Sequence, residues 1–263
     1  MASIFAIHEI GNVEVIIVAG HSKWKNIQHR KGRQDAKKGK IFHKLAREIY
    51  VAARLGDPDP ANNQRLRLAI AKAKRENMPN ENIERAIKKA SGGTDGEHYE
   101  EVIYEGYGPD GVAILVESLT DNRNRTSADL RHIFAKYGGN LSEAGSVAWM
   151  FERKGVLVLD QEQLGDKEEE ILLLAMDKGA EDFAQTGKVV KIITDPQNLE
   201  SVQHALDLEK IPLQSAEITF RSTTHAEISR DKLPKLQSLL AQLEEHDDVQ
   251  NVYTNVADDI ELD

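Results

Sequence analysis

The feature that most constrains this chain is the stretch from Gly20 to Leu55, in which closely spaced cations accompany a helical apolar pattern. Ile41, Leu45 and Ile49 recur at the spacing of a single helix face. This spacing predicts a helix from about Asp35 to Leu55 with that face in a core. The basic side chains lie mostly off the apolar face. A helix that buries one side and presents cations on the other is suited to binding phosphates.

Charge is divided unevenly along the sequence. The whole chain has a formal net charge of -10, yet residues 20–91 carry 19 basic and 7 acidic side chains, a balance of +12. Residues 92–263 carry 15 basic and 35 acidic side chains, a balance of -20. This asymmetry predicts a polyanionic partner that contacts the basic part and is repelled by much of the rest.

Composition excludes several classes of site. The chain has no cysteine, which rules out disulfides, thiolate catalysis and cysteine zinc sites. A chain without cysteine fits a cytoplasmic location, which we expect. No run of about 18 apolar residues occurs, so we expect no membrane-spanning segment. Residues 1–18 match no targeting class. We expect them to be an extension created by a misassigned translation start, with the natural start at Val18.

Periodicity predicts three helices in the basic part and alternating strands and helices beyond it. The second helix follows Pro60, and Asn80 is expected to cap the third. From Gly155 the elements follow the split βαβ order of a ferredoxin-like unit. A ββα unit at 99–150 and an αβ unit at the end of the chain are each incomplete, so we expect them to join.

The predicted fold class is α+β multidomain: an N-terminal three-helix domain plus two α+β domains, one ferredoxin-like and inserted in the other. The predicted divisions are an N-terminal extension (1–18), a basic helical domain (19–95), a discontinuous α+β domain (96–151 plus 222–263) and an inserted ferredoxin-like domain (152–221). Thr126 and Asp129 are expected to form a capping box, and Val147–Phe151 is expected to be a strand.

Gly106–Gly111 matches the pattern G-x-G-x-x-G, which is typical of dinucleotide sites. That fingerprint requires a helix after the last glycine, whereas Val112–Val116 is typical of a strand. We therefore interpret the motif as a hairpin turn. The histidines show no metal-ligand spacing, and the acidic pairs have no orienting partner, so no catalytic residue, metal site or cofactor is predicted.

The candidate nucleic-acid-binding residues are cations of the basic stretch and one aromatic among them: Lys23, Trp24, Lys25, Arg30, Lys31, Lys37, Lys38, Lys40 and Lys44. The cations would neutralise backbone phosphates, and an ordinary solvated helix face is the alternative. Trp24 would either stack on a base or anchor the N-terminal arm to the helices. Arg123 and Arg125 are a secondary candidate before a predicted helix, with a plain polar loop as the alternative.

Several motifs together resemble the YebC/PmpR family. They start with GHSKWKNI at Gly20–Ile27 and continue through Glu76–Pro79, Tyr104–Pro109, Thr120–Arg125 and Gly145–Val147. The resemblance covers nearly the whole chain from Ala19, whereas residues 1–18 depart from the family's usual start. It implies a helical N-terminal domain, two α+β domains of which one is inserted and ferredoxin-like, and a cytoplasmic, non-enzymatic regulator.

Members of that family include DNA-binding transcriptional regulators, translation factors acting at the ribosome and a mitochondrial translational activator of cytochrome oxidase subunit I. The leading hypothesis is therefore a non-enzymatic, DNA-binding transcriptional regulator with low sequence specificity. The alternative is a ribosome-associated translation factor that contacts ribosomal RNA or tRNA. A third hypothesis, an enzyme with an acidic cleft between domains, depends only on the space that three domains could enclose. We expect no membrane partner and no small-molecule substrate.

Overall fold

The computed structural model describes residues 34–92 and 98–256, with no side chain described for residues 34–37 or for Asp166. The α-helices of these residues are α1 (Gln34–Leu55), α2 (Gln64–Arg75), α3 (Asn80–Ser91), α4 (Arg123–Lys136), α5 (Glu168–Asp177), α6 (Leu199–Leu208) and α7 (Leu233–Glu245). None of these helices is both long enough and apolar enough to cross a bilayer.

Two four-stranded antiparallel sheets accompany the helices. Their strands are β1 (Glu100–Tyr107), β2 (Ala113–Thr120), β3 (Asn140–Leu141), β4 (Phe151–Asp160), β5 (Ala180–Thr186), β6 (Val189–Thr194), β7 (Leu213–Ser222) and β8 (Val249–Thr254). The first sheet has the order β3-β1-β2-β8 and the second β5-β6-β4-β7. The predicted α+β class, with a helical region preceding two sheet-containing units, is confirmed.

The three N-terminal helices pack around one apolar core. Leu45 and Ile49 of α1 are buried there together with Leu66 of α2 and Ile83 of α3, as the helical spacing predicts. The expected cap at Asn80 is wrong: the N-cap residue of α3 is Pro79, and no side chain caps this helix. Pro79 takes the extended conformation that precedes a helix, which places Asn80 inside the first turn.

Asn63 explains how the chain turns from α1 into α2. Its Oδ1 accepts a hydrogen bond from the Leu66 backbone N–H at 3.0 Å and so caps α2. Its Nδ2 donates to the Ala52 carbonyl oxygen of α1 at 2.8 Å. One buried amide therefore satisfies a helix start and fixes the angle between the two helices.

The G-x-G-x-x-G segment is a hairpin turn, as predicted. β1 and β2 pair in antiparallel register on either side of it, with Tyr107 opposite Ala113. Asp110 and Gly111 adopt φ values of 57° and 76° in the turn. Successive positive φ values suit a tight turn between strands rather than the start of a helix.

The first sheet combines segments from both ends of the α+β region. β8 pairs with β2, with Leu115 opposite Tyr253, and α4 and α7 cover the same face of the sheet. This pairing is the arrangement that a discontinuous unit requires, although the domain boundaries themselves remain predictions. Val147–Phe151 is not a strand: residues 148–150 form a 3₁₀ turn, and β4 begins only at Phe151.

The second sheet has the ferredoxin-like order, and α5 and α6 cover one of its faces. Leu157 and Ile192 of the sheet are buried against Ile171 of α5 and Val202 of α6. β4 and β6 lie in the middle of this sheet, which is why their apolar runs are the most continuous.

The expected capping box of α4 is also wrong. Asn122 is the N-cap, and its Oδ1 accepts from the Arg125 backbone N–H at 3.1 Å. Thr126 lies within the helix, is fully buried, and donates its hydroxyl to Asp248 at 2.7 Å. A tertiary hydrogen bond therefore uses the hydroxyl group that the sequence pattern assigns to local capping.

Candidate nucleic-acid interface

The structure describes only some of the predicted nucleic-acid-binding residues. Lys23, Trp24, Lys25, Arg30 and Lys31 lie outside the described residues. Lys37 lies in the first turn of α1 without a described side chain, and Lys38, Lys40 and Lys44 follow along the same helix. Of the predicted residues in the basic stretch, only Lys38, Lys40 and Lys44 therefore have described side chains.

Lys40 and Lys44 point their ammonium groups at the C-terminal end of α7. Lys44 Nζ donates to the Glu244 carbonyl oxygen at 2.6 Å, and Lys40 Nζ donates to that of Glu245 at 3.4 Å. Lys40 also lies 3.6 Å from a carboxylate oxygen of Asp247. Carbonyl groups at a helix C-terminus have no partner within the helix and attract cations. Lys44 is thus mainly a contact between two parts of the chain, whereas Lys40 keeps 58% of its side chain exposed.

Arg125, of the secondary candidate pair, is already neutralised within the chain. Its Nη2 donates to Asp121 Oδ1 at 2.7 Å and to Asp248 Oδ2 at 2.9 Å. These two hydrogen bonds raise the pKa of Arg125 above its ordinary value. Arg123 is more exposed, with its Nε 3.7 Å from a carboxylate oxygen of Glu100. Neither arginine is free of carboxylates, which weakens this loop as an anion site.

The arginines of α2 connect the basic helices to the acidic part of the chain. Arg65 bonds to Glu101 of β1, and Arg67 bonds to Glu200 of α6. Arg75 lies 4.0 Å from a carboxylate oxygen of Glu217 on β7. This side of the helical region therefore faces the chain's own carboxylates and leaves little charge for an external polyanion.

Four exposed cations of the helical region form no ion pair with any described residue: Lys38, Lys74, Arg85 and Lys88. The residues predicted from the sequence do not include Arg85 and Lys88 of α3. The signal was present in the sequence, because Lys88 and Lys89 follow Arg85 by three and four residues and so lie on the same side of one helix.

A groove runs between α1 and α3 beside these cations. It has a cavity volume of about 320 Å³, and Tyr99 is one of the residues that line it. Tyr50 forms part of its floor, with its ring in an edge-to-face contact with that of Tyr99 at 5.9 Å between centroids. The side chains of Arg85 and Lys89 lie along its α3 edge.

The two buried carboxylates of the described residues are fully engaged in hydrogen bonds. Glu105 accepts from the backbone N–H groups of Gly145, Val147 and Ala148 at 2.7–2.8 Å, which holds the loop before β4. Asp248 accepts from Arg47, Arg125 and Thr126. No group of three or more His, Asp or Glu side chains that could hold a metal ion occurs in the described part of the chain.

Protein-family comparisons cover both parts of the chain. Residues 22–93 match the family described as "TACO1/YebC protein N-terminal domain". Residues 99–256 match the family described as "TACO1/YebC second and third domain". Together these two matches span almost all of the described residues.

Curated relatives are similar over nearly their full length. A protein of Geobacillus thermodenitrificans is 54% identical over 243 residues, which cover 92% of this chain and 98% of the relative. A protein of Bacillus subtilis is 52% identical over 238 residues, covering 90% and 99%. Both carry the name "Probable transcriptional regulatory protein".

A solved structure shares the fold. The crystal structure of a conserved hypothetical protein from Aquifex aeolicus superimposes with a TM-score of 0.77 at 47% sequence identity. The superposition covers 89% of this chain and 96% of the Aquifex chain. The arrangement of helices and sheets described above is therefore shared with an experimentally determined relative.

Proposed function

This chain belongs to the TACO1/YebC family, and we propose on that premise that it is a non-enzymatic regulatory protein that binds nucleic acid through its helical region. The leading form of the proposal is a DNA-binding transcriptional regulator with low sequence specificity. The names of the relatives support regulation of transcription. The observation that carries the binding surface is the set of exposed cations on α1 and α3 that no described carboxylate neutralises.

Low sequence specificity follows from how the helices present their charges. Glu81 and Glu84 are exposed in the first turns of α3, where a recognition helix would approach base edges in a major groove. Carboxylates at that end would repel the phosphates that flank the groove. Lys38, Arg85 and Lys88 would then contact phosphates, and such contacts position a protein without reading sequence.

A ribosome-associated translation factor that contacts ribosomal RNA or tRNA is the second candidate function. The acidic start of α3 favours this second candidate, because it disfavours insertion of α3 into the major groove of a DNA duplex. A folded RNA presents irregularly arranged phosphates, which can be contacted without inserting a helix into a groove. Phosphate contacts alone do not distinguish the two nucleic acids. An enzymatic role has no support from the buried carboxylates, since Glu105 and Asp248 both serve contacts within the chain.

Crosslinking in cells, followed by denaturing purification and sequencing of the bound nucleic acid, tests both candidates. Recovery of promoter DNA would support the leading form, and recovery of ribosomal RNA or tRNA would support the second. The binding-deficient variant is Lys38→Glu with Lys88→Glu. Its matched control is Lys167→Glu with Lys235→Glu, which makes the same charge change at exposed lysines outside the helical region. Equal recovery from both variants would contradict the proposed surface.

A further inference from the structure

The groove between α1 and α3 combines an apolar floor with a cationic edge. Buried or partly buried apolar groups form the floor, including Ala46, Tyr50 and Ala86. Arg85 and Lys89 of α3 are exposed at the edge. No Asp or Glu is among the described residues that line it, although acidic side chains outnumber basic ones in the whole chain. The site therefore favours a ligand that is flat or apolar at one end and anionic at the other.

Two partly buried aromatic rings line this groove. Phe42 comes from α1, and Tyr99 comes from the segment that leads into β1. The guanidinium carbon of Arg47 lies 4.7 Å from the Tyr99 ring centroid, so one face of that ring is held by a cation–π contact. Arg47 is not itself a ligand for an outside anion, because its Nη1 donates to the Leu119 carbonyl and to Asp248.

We propose that this groove holds one unpaired nucleotide of a bound nucleic-acid strand, with the base against Phe42 and Tyr99 and its phosphate at Arg85. The inference rests on the proposed nucleic-acid binding and adds to it that the strand is unpaired at this point. A volume of about 320 Å³ is enough for a base. Aromatic rings stack on any base, and cations beside them contact the backbone of the strand.

A phosphate at the α3 edge of the groove would be attracted by the positive charge of Arg85. Asn82, which also lines the groove, supplies an amide that can pair with the edge of a base.

Gly39 offers a way to fill the groove without disturbing the fold. It lines the groove from α1, and a Cβ added there would meet no described atom within 4 Å. Gly39→Leu places an aliphatic side chain at the groove. Gly39→Ala is the matched control, because it also removes the helix-weakening glycine but adds only one carbon. Arg85→Gln removes the edge cation, and Lys235→Gln, at an exposed lysine outside the helical region, is its control.

Fluorescence anisotropy compares these variants on a single-stranded oligonucleotide and on a blunt duplex of the same sequence, each prepared both as DNA and as RNA. We expect Gly39→Leu and Arg85→Gln each to weaken single-strand binding by about tenfold, an effect of one lost stacked base or phosphate contact. Duplex binding should change less than twofold for Gly39→Leu, and both control variants should bind the single strand like the parent protein.

Photocrosslinking independently locates the part of the protein that contacts the bound strand. A single-stranded oligonucleotide with one 5-iodouracil should crosslink to the peptide that contains Phe42 or to the one that contains Tyr99, as mapped by mass spectrometry. Equal loss of single-strand and duplex binding in Gly39→Leu, or crosslinks confined to other peptides, would overturn the groove proposal and leave the wider proposed function standing. Absence of binding to both probes by the parent protein would overturn both.

An acidic peptide is the other chemistry that such a groove could accept. A labelled glutamate-rich peptide that contains one tryptophan is the probe for it. The proposal would be overturned if the parent protein binds this peptide, Gly39→Leu does not, and single-strand binding is the same in both proteins. The ligand of the groove would then be a protein segment and not a nucleotide.

Discussion

Asp248 is the residue at which α1, α4 and the start of β8 meet. Its side chain is 5% exposed and faces Arg47 of α1, whose side chain is 9% exposed, at 2.9 Å. Its second oxygen accepts from Arg125 at 2.9 Å and from the Thr126 hydroxyl at 2.7 Å. A buried carboxylate with this many donors is stable only while all of them remain in place.

Replacing Asp248 by Asn should destabilise the protein by roughly 3–5 kcal/mol, because the buried Arg47 charge would lose its counter-ion. Urea unfolding followed by circular dichroism measures the effect. Asp247→Asn is the matched control, since Asp247 is the exposed neighbour whose carboxylate lies 3.6 Å from Lys40. Similar unfolding midpoints for the two variants would contradict the role assigned to Asp248.

The same carboxyl group should make stability depend on pH in acid. Burial opposes ionisation of Asp248, but hydrogen bonds from Arg125, Thr126 and Arg47 offset it and lower the pKa from 3.8 to about 2. As pH falls, Asp248 is therefore protonated at a higher pH in the unfolded chain than in the folded protein. The stabilisation is complete above about pH 4 and is lost between about pH 4 and pH 2.

Urea unfolding at a series of pH values tests this expectation. The difference in unfolding free energy between the parent protein and Asp248→Asn should be largest near neutral pH and should narrow between about pH 4 and pH 2. The pKa of Asp110 is also lowered to about 2, by hydrogen bonds from Lys232 and Ser229, but Asp110 is present in both proteins. If the difference in unfolding free energy between the two proteins stays constant with pH, ionisation of Asp248 does not stabilise the fold as expected.

At the scale of elements, α1 has two kinds of lysine that its sequence does not distinguish. Lys38 is exposed and pairs with no described carboxylate, whereas Lys44 donates to the C-terminal end of α7 at 2.6 Å. Lys44 lies off the apolar face that predicts the helix, whereas Lys38 precedes Ile41 and Leu45 of that face by three and seven residues, yet is exposed near the helix start. The contact of Lys44 depends on α7, which begins 178 positions after the last residue of α1.

These two lysines should therefore respond in opposite ways to substitution by alanine. Lys44→Ala should cost about 1 kcal/mol of stability, because carbonyl oxygens at the end of α7 lose a charged donor. Lys38→Ala should leave stability unchanged within about 0.5 kcal/mol and weaken nucleic-acid binding. Thermal unfolding and anisotropy on the same pair of variants measure both quantities. The reverse pattern would remove Lys38 from the interface.

Most helices and strands were predictable from the sequence, because each buries one face at a regular spacing. The helix of Gln34–Leu55 and the strand of Val189–Thr194 lie where their apolar patterns predict them. The helix caps were less predictable. Asn80 and Thr126 are residue types that favour caps, yet Pro79 and Asn122 occupy those positions, since tertiary contacts and backbone geometry decide between neighbouring candidates.

At the scale of the whole molecule, the division of charge is only partly a division in space. Arg67 and Arg75 of the basic part contact carboxylates of the second sheet and its helices, and Arg47 is buried against Asp248. The sequence shows that basic and acidic side chains are concentrated in different parts of the chain, but it does not show which cations face inward. The ion pairs that Arg67 and Arg47 form join residues more than 100 positions apart. The cations left for a partner lie on α3 as well as on α1.

The central claim is that these remaining cations neutralise phosphates, and the salt dependence of binding tests it most directly. The variant Lys38→Gln, Arg85→Gln, Lys88→Gln is compared with a control carrying Lys167→Gln, Lys210→Gln and Lys235→Gln, and binding constants are measured across a salt series. The slope of log K against log salt should become shallower in the first variant by up to ~0.9 for each lost duplex contact, or ~0.7 for a single strand. The control should keep the parent slope. An unchanged slope in the first variant, or an equal change in both, would contradict the claim that the helical region binds the polyanion.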